Sequence, residues 1–165
     1  MANTYVKIGS TVEVGSGGAT SIDFTGISGT YTDLCLKFST RYDLDLNTFD
    51  LKINGVTTSQ TARRVLGNGS AASSSTYTEL QTNPSAATAN TFGNGEIYFP
   101  NYAGSTNKSI SIDVVSENNA TLAYAILEAW LWSSTAAITS ISLTARSTAK
   151  FVQYSTATLY GISKS

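Results

Sequence analysis

The chain has 165 residues, a formal net charge of −1, no histidine, and only 13% charged against 41% hydrophobic residues. That length suits a single domain able to bury a sizeable core. The near-neutral balance, with Arg63 and Arg64 the sole adjacent basic pair, argues against a nucleic-acid footprint, and no apolar run is long enough to span a membrane as a helix.

Low charge, 13 glycines and abundant Ser and Thr are the composition of an all-β protein with a hydroxyl-rich surface. Residues 5–14 predict a short strand pair or one broken strand, and GSGGATS makes a corner where glycine tolerates positive φ. A strand over 21–24 follows. Another over 32–40 sets Leu34, Leu36 and Phe38 on one face and Asp33, Cys35 and Lys37 on the other. Phe49, Leu51 and Ile53 alternate before Asn54-Gly55, a strong hairpin signal, so 48–53 is expected to pair with 60–66.

Residues 67–94 form a Ser/Ala/Asn/Thr-rich stretch too long for an ordinary connection. It reads either as a floppy surface loop or as an extended arm that orders against a neighbouring subunit, with Tyr77, Leu80 and Phe92 as anchors. On the arm reading, deleting 70–90 leaves the domain folded but abolishes attachment to the partner.

Residues 95–115 hold the clearest unit: a strand with Ile97 and Phe99 inward, a corner at Pro100, Asn101 and Gly104, and a return strand with Ile110, Ile112 and Val114 inward. Residues 121–132, TLAYAILEAWLW, have helix-favouring Ala and Leu but alternate as a strand. One side carries Leu122, Tyr124, Ile126, Trp130 and Trp132, broken only by Glu128; the other carries Ala123, Ala125, Leu127, Ala129 and Leu131. A strand buried on both faces, or one meeting another subunit, fits. Strands over 139–145, 150–155 and 156–162 complete the chain. About ten short strands punctuated by turns predict one antiparallel β-sandwich over 1–165.

Without histidine, Ser–His and Cys–His nucleophilic sites and the commonest metal ligand are gone. Cys35 alone makes no internal disulfide and reads as a packed strand residue. Asp43, Asp45 and Asp50 are close in sequence, and Glu96, Asp113, Glu117 and Glu128 are scattered; no pair stands out as a glycosidase dyad, and all read as solubilising surface charges. Asp43-x-Asp45-x-Asn47 opens like a calcium loop but continues with Thr48 and Asn54 where an EF-hand needs glycine and glutamate. No catalytic residue, cofactor or metal is expected. With no signal-peptide pattern at the start, synthesis in a cytoplasm is expected.

Two segments, NYAGSTNKS with its flanking strands and the tail SISLTARSTAKFVQYSTATLYGI, resemble β-rich structural proteins of tailed bacteriophages, cyanobacterial and marine phages especially; YVKI, VGSGGATSIDFTGI and YTDLCLK have the same character. In the closing pattern, relatives more often carry glycine before Ser155, where this chain has Tyr154. The resemblance implies a jelly-roll-like sandwich without enzymatic activity. The implied role is a capsid decoration (cement) protein on the outer surface of the virion. It would be made in the host cytoplasm, bridge major capsid protein subunits and associate with itself as a homotrimer, with no nucleic-acid or membrane partner. The rival is a tail-fibre or head-fibre module binding host glycans, for which Tyr98, Tyr102, Trp130 and Trp132 are the stacking candidates, against their reading as core or interface aromatics.

Overall fold

The computed structural model describes residues 4–67, 72–76, 78–119 and 122–163. Among them are twelve strands and no helix. These are β1 (Tyr5–Glu13), β2 (Ser21–Thr25), β3 (Asp33–Thr40), β4 (Thr48–Ile53), β5 (Gln60–Gly67) and β6 (Ala72–Ser75), then β7 (Glu79–Gln81), β8 (Gly93–Phe99), β9 (Lys108–Glu117), β10 (Ala123–Trp132), β11 (Ser140–Ala145) and β12 (Thr156–Ile162). An eight-stranded sheet runs β1-β12-β3-β8-β9-β10-β5-β6, and a four-stranded sheet runs β2-β11-β4-β7. Every ladder between these strands is antiparallel.

The inner faces meet in one core. Leu34, Leu36, Ile97, Phe99, Val114 and Ile126 come from the large sheet; Phe49, Leu51, Ile53 and Leu143 come from the small one. Phe38 of the large sheet meets Phe49 of the small one edge-on at 5.4 Å, and Phe49 in turn meets Phe151 at 5.6 Å. Each large apolar side chain buried in this way stabilises the fold by roughly 1.5–3 kcal/mol. Gly95 is what lets Phe38 lie flat: a Cβ there would stand 2.5 Å from its ring and 2.8 Å from the Asp113 carbonyl.

The β8–β9 unit forms as the alternation predicts. Ile97, Phe99, Ile110, Ile112 and Val114 are all buried, and β8 ends at Phe99, before the proline. The corner is closed by Gly104 N–H donating to Asn101 O at 3.0 Å, with Asn101 at φ 46°. Residues 5–13 make one strand with a register break between Ile8 and Val12, where Gly9 takes φ 68°.

Three expectations are corrected. The 48–53/60–66 hairpin does not form. Asn54 (φ 52°) and Gly55 (φ 81°) do make the turn, but β4 pairs with β11 and β7, whereas β5 pairs with β10 and β6 in the other sheet. The Asn54 side chain is the reason: its Nδ2 donates to Ala137 O (2.8 Å) while its Oδ1 accepts from Thr139 N (2.8 Å) and Ser140 N (3.2 Å), fastening the turn to the start of β11. The chain then crosses to the large sheet.

Residues 150–155 are not a strand. Only Phe151 pairs, bridging Ala19 and Tyr42, and the chain then turns with Ser155 N–H on Val152 O at 3.1 Å.

The stretch 67–94 is not a free arm. Ala72–Ser75 and Glu79–Gln81 are edge strands of the two sheets, and Leu80, Thr82 and Asn83 are buried. The following loop is held from both sides. Arg41 donates to four carbonyls, those of Ser85, Ala87, Thr88 and Thr91, at 2.7–3.0 Å. Glu117 accepts from Thr88 N (2.8 Å), Thr88 Oγ1 (3.0 Å) and Thr91 Oγ1 (2.6 Å). Deleting 70–90 would therefore remove core and ladder, not an appendage. Tyr77 lies outside the described residues, as do the chain ends at 1–3 and 164–165.

Candidate interaction surface

Strand β10 decides what the two faces of the large sheet do. Its inward residues Ile126, Glu128, Trp130 and Trp132 are buried, and its outward residues Ala123, Ala125, Leu127, Ala129 and Leu131 are exposed. The strand is thus apolar on both sides but covered on one. Across the ladder, Val65 of β5 stands opposite Leu127, and Val115 of β9 stands opposite Ala125. Exposures of 59% for Leu127, 44% for Val65, 43% for Val115 and 42% for Leu131 make a contiguous apolar stripe on a sheet surface otherwise lined by Ser, Thr and charged groups. Grouped in this way, they differ from the scattered apolar residues of an ordinary surface.

Charges flank the stripe. Arg63 faces outward on β5 in register with Ala129, and Asp113 faces outward on β9 in register with Leu127. Farther across, Lys37 and Glu96 form an exposed ion pair at 2.8 Å beside an open groove of about 620 Å³ that also takes in Asn94 and Ser111. Cys35 faces the same way but is fully buried, flanked in register by Tyr98 and Tyr160. Burial pushes its thiol up to about 12, so it is an inert packed residue at neutral pH.

The aromatic candidates divide. Trp130, Trp132 and Tyr102 are core residues, and so is Leu80. The Trp130 indole donates to Glu128 Oε2 at 2.6 Å. Trp132 lies 5.4 Å from the Lys108 ammonium, which itself donates to the carbonyls of Gly104 (2.7 Å) and Ala136 (2.5 Å). The Tyr102 hydroxyl donates to Ser28 O. Tyr98 and Phe92 are half-buried, and the Tyr98 hydroxyl donates to Asp33 Oδ2 at 2.7 Å, which, with burial, raises it to about 12. These side chains do not converge on one surface.

The carboxylates are structural acceptors more often than solubilising charges. Glu128 is the clear correction: its Oε1 accepts from Arg64 Nε at 2.7 Å, directly across the ladder, with both side chains buried. Burial raises its pKa, and Arg64 and the Trp130 N–H oppose that rise. Asp43 accepts from Lys150 N at 2.7 Å, and the described residues contain no group of three or more potential metal ligands.

Fold and surface together define an all-β sandwich with one uncovered apolar sheet face. No family model, no curated protein and no solved structure matches the chain.

Proposed function

We propose that the chain is a non-enzymatic structural protein of a phage virion, most specifically a decoration protein that stabilises the head by bridging neighbouring major capsid subunits. The observation that carries the reading is the apolar stripe of β10, with Leu127 at 59% exposure as its most prominent member. A domain that works alone gains nothing from such a face, whereas a subunit of an assembly uses it to bury area against a neighbour. The rest of the molecule supports the same role. Arg41, Glu117, Lys108 and the Arg64–Glu128 pair all serve to hold loops and sheets in place. The segment resemblance to jelly-roll-like virion proteins supplies the setting.

The glycan-binding fibre reading is weaker. Three of its four stacking candidates are core residues, and the hydroxyl of the fourth, Tyr98, is bound to Asp33. The deciding experiment mixes the purified protein with undecorated mature capsids and images the particles by electron cryomicroscopy. Regular density on the outer shell is the expected result. Bare shells, with the protein bound instead to host cells, would overturn the decoration reading in favour of the fibre.

A further inference from the structure

We propose that the occupant of the β10 face is a second copy of this chain, packed sheet to sheet about a two-fold axis that runs along β10. It names the neighbour that buries the stripe on which the virion reading also rests, and it stands on that stripe and its flanking charges, not on the virion setting. Three observations lead there.

The first is size. The strands β8, β9, β10, β5 and β6, of seven, ten, ten, eight and four residues at about 3.4 Å each and about 4.8 Å spacing, outline a face of roughly 640 Å². That falls within each partner's share of a standard stable interface, about 600–1,000 Å², at its lower end.

The second is the arrangement of apolar groups. Ala125, Leu127, Ala129 and Leu131 line the proposed axis, so each copy sets the same stripe against its mate, with Val65 and Val115 at the margins. A two-fold along the strand sets each on-axis residue against its own mate, so the paired Leu127 and paired Leu131 side chains form the apolar centre of the contact. An isologous contact demands this kind of self-complementary patch.

The third is charge. Arg63 and Asp113 lie on opposite sides of β10, on β5 and β9, two residues apart along the strand direction. Neither makes a side-chain hydrogen bond or ion pair among the described residues. A two-fold along β10 lays β9 of one copy over β5 of the other. The partner's Asp113 then falls above Val65, about 7 Å along the strand from Arg63 and within reach of its long side chain. The symmetry makes that pair twice. An axis along β9 would instead bring the two Asp113 carboxylates together, which like-charge repulsion disfavours. The two-fold differs from the threefold that the phage resemblance implies.

Sedimentation equilibrium of the purified chain tests the proposal. The wild type should be dimeric at micromolar concentration. Leu127→Glu should be monomeric with an unchanged circular dichroism spectrum, since the residue is exposed. Arg63→Glu and Asp113→Arg should each weaken the dimer at least about tenfold, and the double exchange R63E/D113R should restore it. A wild type that stays monomeric up to about 100 μM, a trimer, a Leu127→Glu variant that still dimerises, or a double exchange no better than the singles would overturn the proposal.

Discussion

Glu128 is buried in an apolar strand face because Arg64 sits across from it, and that dependence can be measured. The ion pair is 2.7 Å long with side chains 6% and 0% exposed, and the carboxylate's second oxygen is taken by the Trp130 indole. Removing one member of such a pair leaves the other charge desolvated, at a cost of about 3–5 kcal/mol. For a domain of this size, that lowers Tm by roughly 6–20 °C. Glu128→Gln keeps the shape and removes the charge, so the loss measures the buried guanidinium deprived of its carboxylate. Arg64→Met does the converse, and its outcome should depend on pH.

Burial already holds Glu128 above the ordinary carboxylate range, and without Arg64 the main opposing influence is gone. A carboxyl whose folded pKa lies above its unfolded value contributes stability that is fully present below the unfolded pKa. It is lost as pH rises through the folded value. Relative to wild type, Arg64→Met should therefore recover stability as pH falls below neutrality, with the recovery complete below the unfolded carboxyl value of about 4.3. Glu128→Gln should show no such recovery, because a guanidinium does not deprotonate. Replacing both, as R64M/E128L, should regain part of the loss, since an apolar pair needs no desolvation but the buried Trp130 N–H then lacks its acceptor. Urea titrations across pH provide the assay. A Glu128→Gln variant within about 1 kcal/mol of wild type, or a pH-independent deficit in Arg64→Met, would refute the reasoning.

Two further outcomes follow from local geometry. Tyr154 holds φ 69° in the turn before β12, with its side chain 63% exposed, so Tyr154→Gly should be more stable than Tyr154→Ala by about 0.5–1 kcal/mol; equal thermal midpoints would show that the turn carries no strain. Burial tends to raise Glu117, but hydrogen bonds from Thr91, Asn119 and Thr88 outweigh it and hold the carboxyl below its ordinary range. Its contribution is therefore present above the unfolded pKa and lost as pH falls through the lower folded value. The Thr88 and Asn119 amide resonances should titrate together, with a midpoint below about 4.3, and a midpoint at or above that value would contradict the clamp.

Strand positions were legible wherever alternation was clean. β3, β8, β9, β11 and β12 fall within a residue or two of their predicted bounds, because their inward parity fills the core while the outward one is mostly polar; β10 does so too, although both its parities are apolar. Pairing was not legible in the same way. Asn54-Gly55 announces a turn, but a turn does not dictate that the next strand return beside the last; the Asn54 side chain bonds that send β4 to β11 span more than eighty residues. Phe151 shows a related limit. Its apolar neighbours look like a strand, yet a positive φ three residues on ends the pairing after a single residue. The low-complexity stretch misled because short edge strands of Ala and Ser, such as Ala72–Ser75, have no periodic signal, and the Arg41 and Glu117 clamps come from distant positions.

The candidate surface was half legible, and the visible half was parity rather than residue type. Aromatic side chains drew attention as binding groups, but Trp130 and Tyr102 each combine a large apolar body with a polar atom that finds a partner inside, and the Trp132 ring lies against the Lys108 ammonium, so the core is where all three contribute most. Glu128 gave the direction of β10: a carboxylate in register with Arg64 belongs to the same face as the tryptophans, and that fixes the opposite parity as outward. On that outward face a strand from a solitary sandwich would carry Ser, Thr or Lys, as β9 does with Ser109, Ser111 and Asp113. β10 carries Ala and Leu at every outward position from 123 to 131. Val65 and Val115 extend that character to the neighbouring strands, and Val115 was visible as the second residue of a Val-Val pair that breaks an otherwise strict alternation. When apolar residues occupy both parities of a strand and one parity fills the core, the other is left to an assembly, and the Arg63–Asp113 spacing supports a mate of the same sequence.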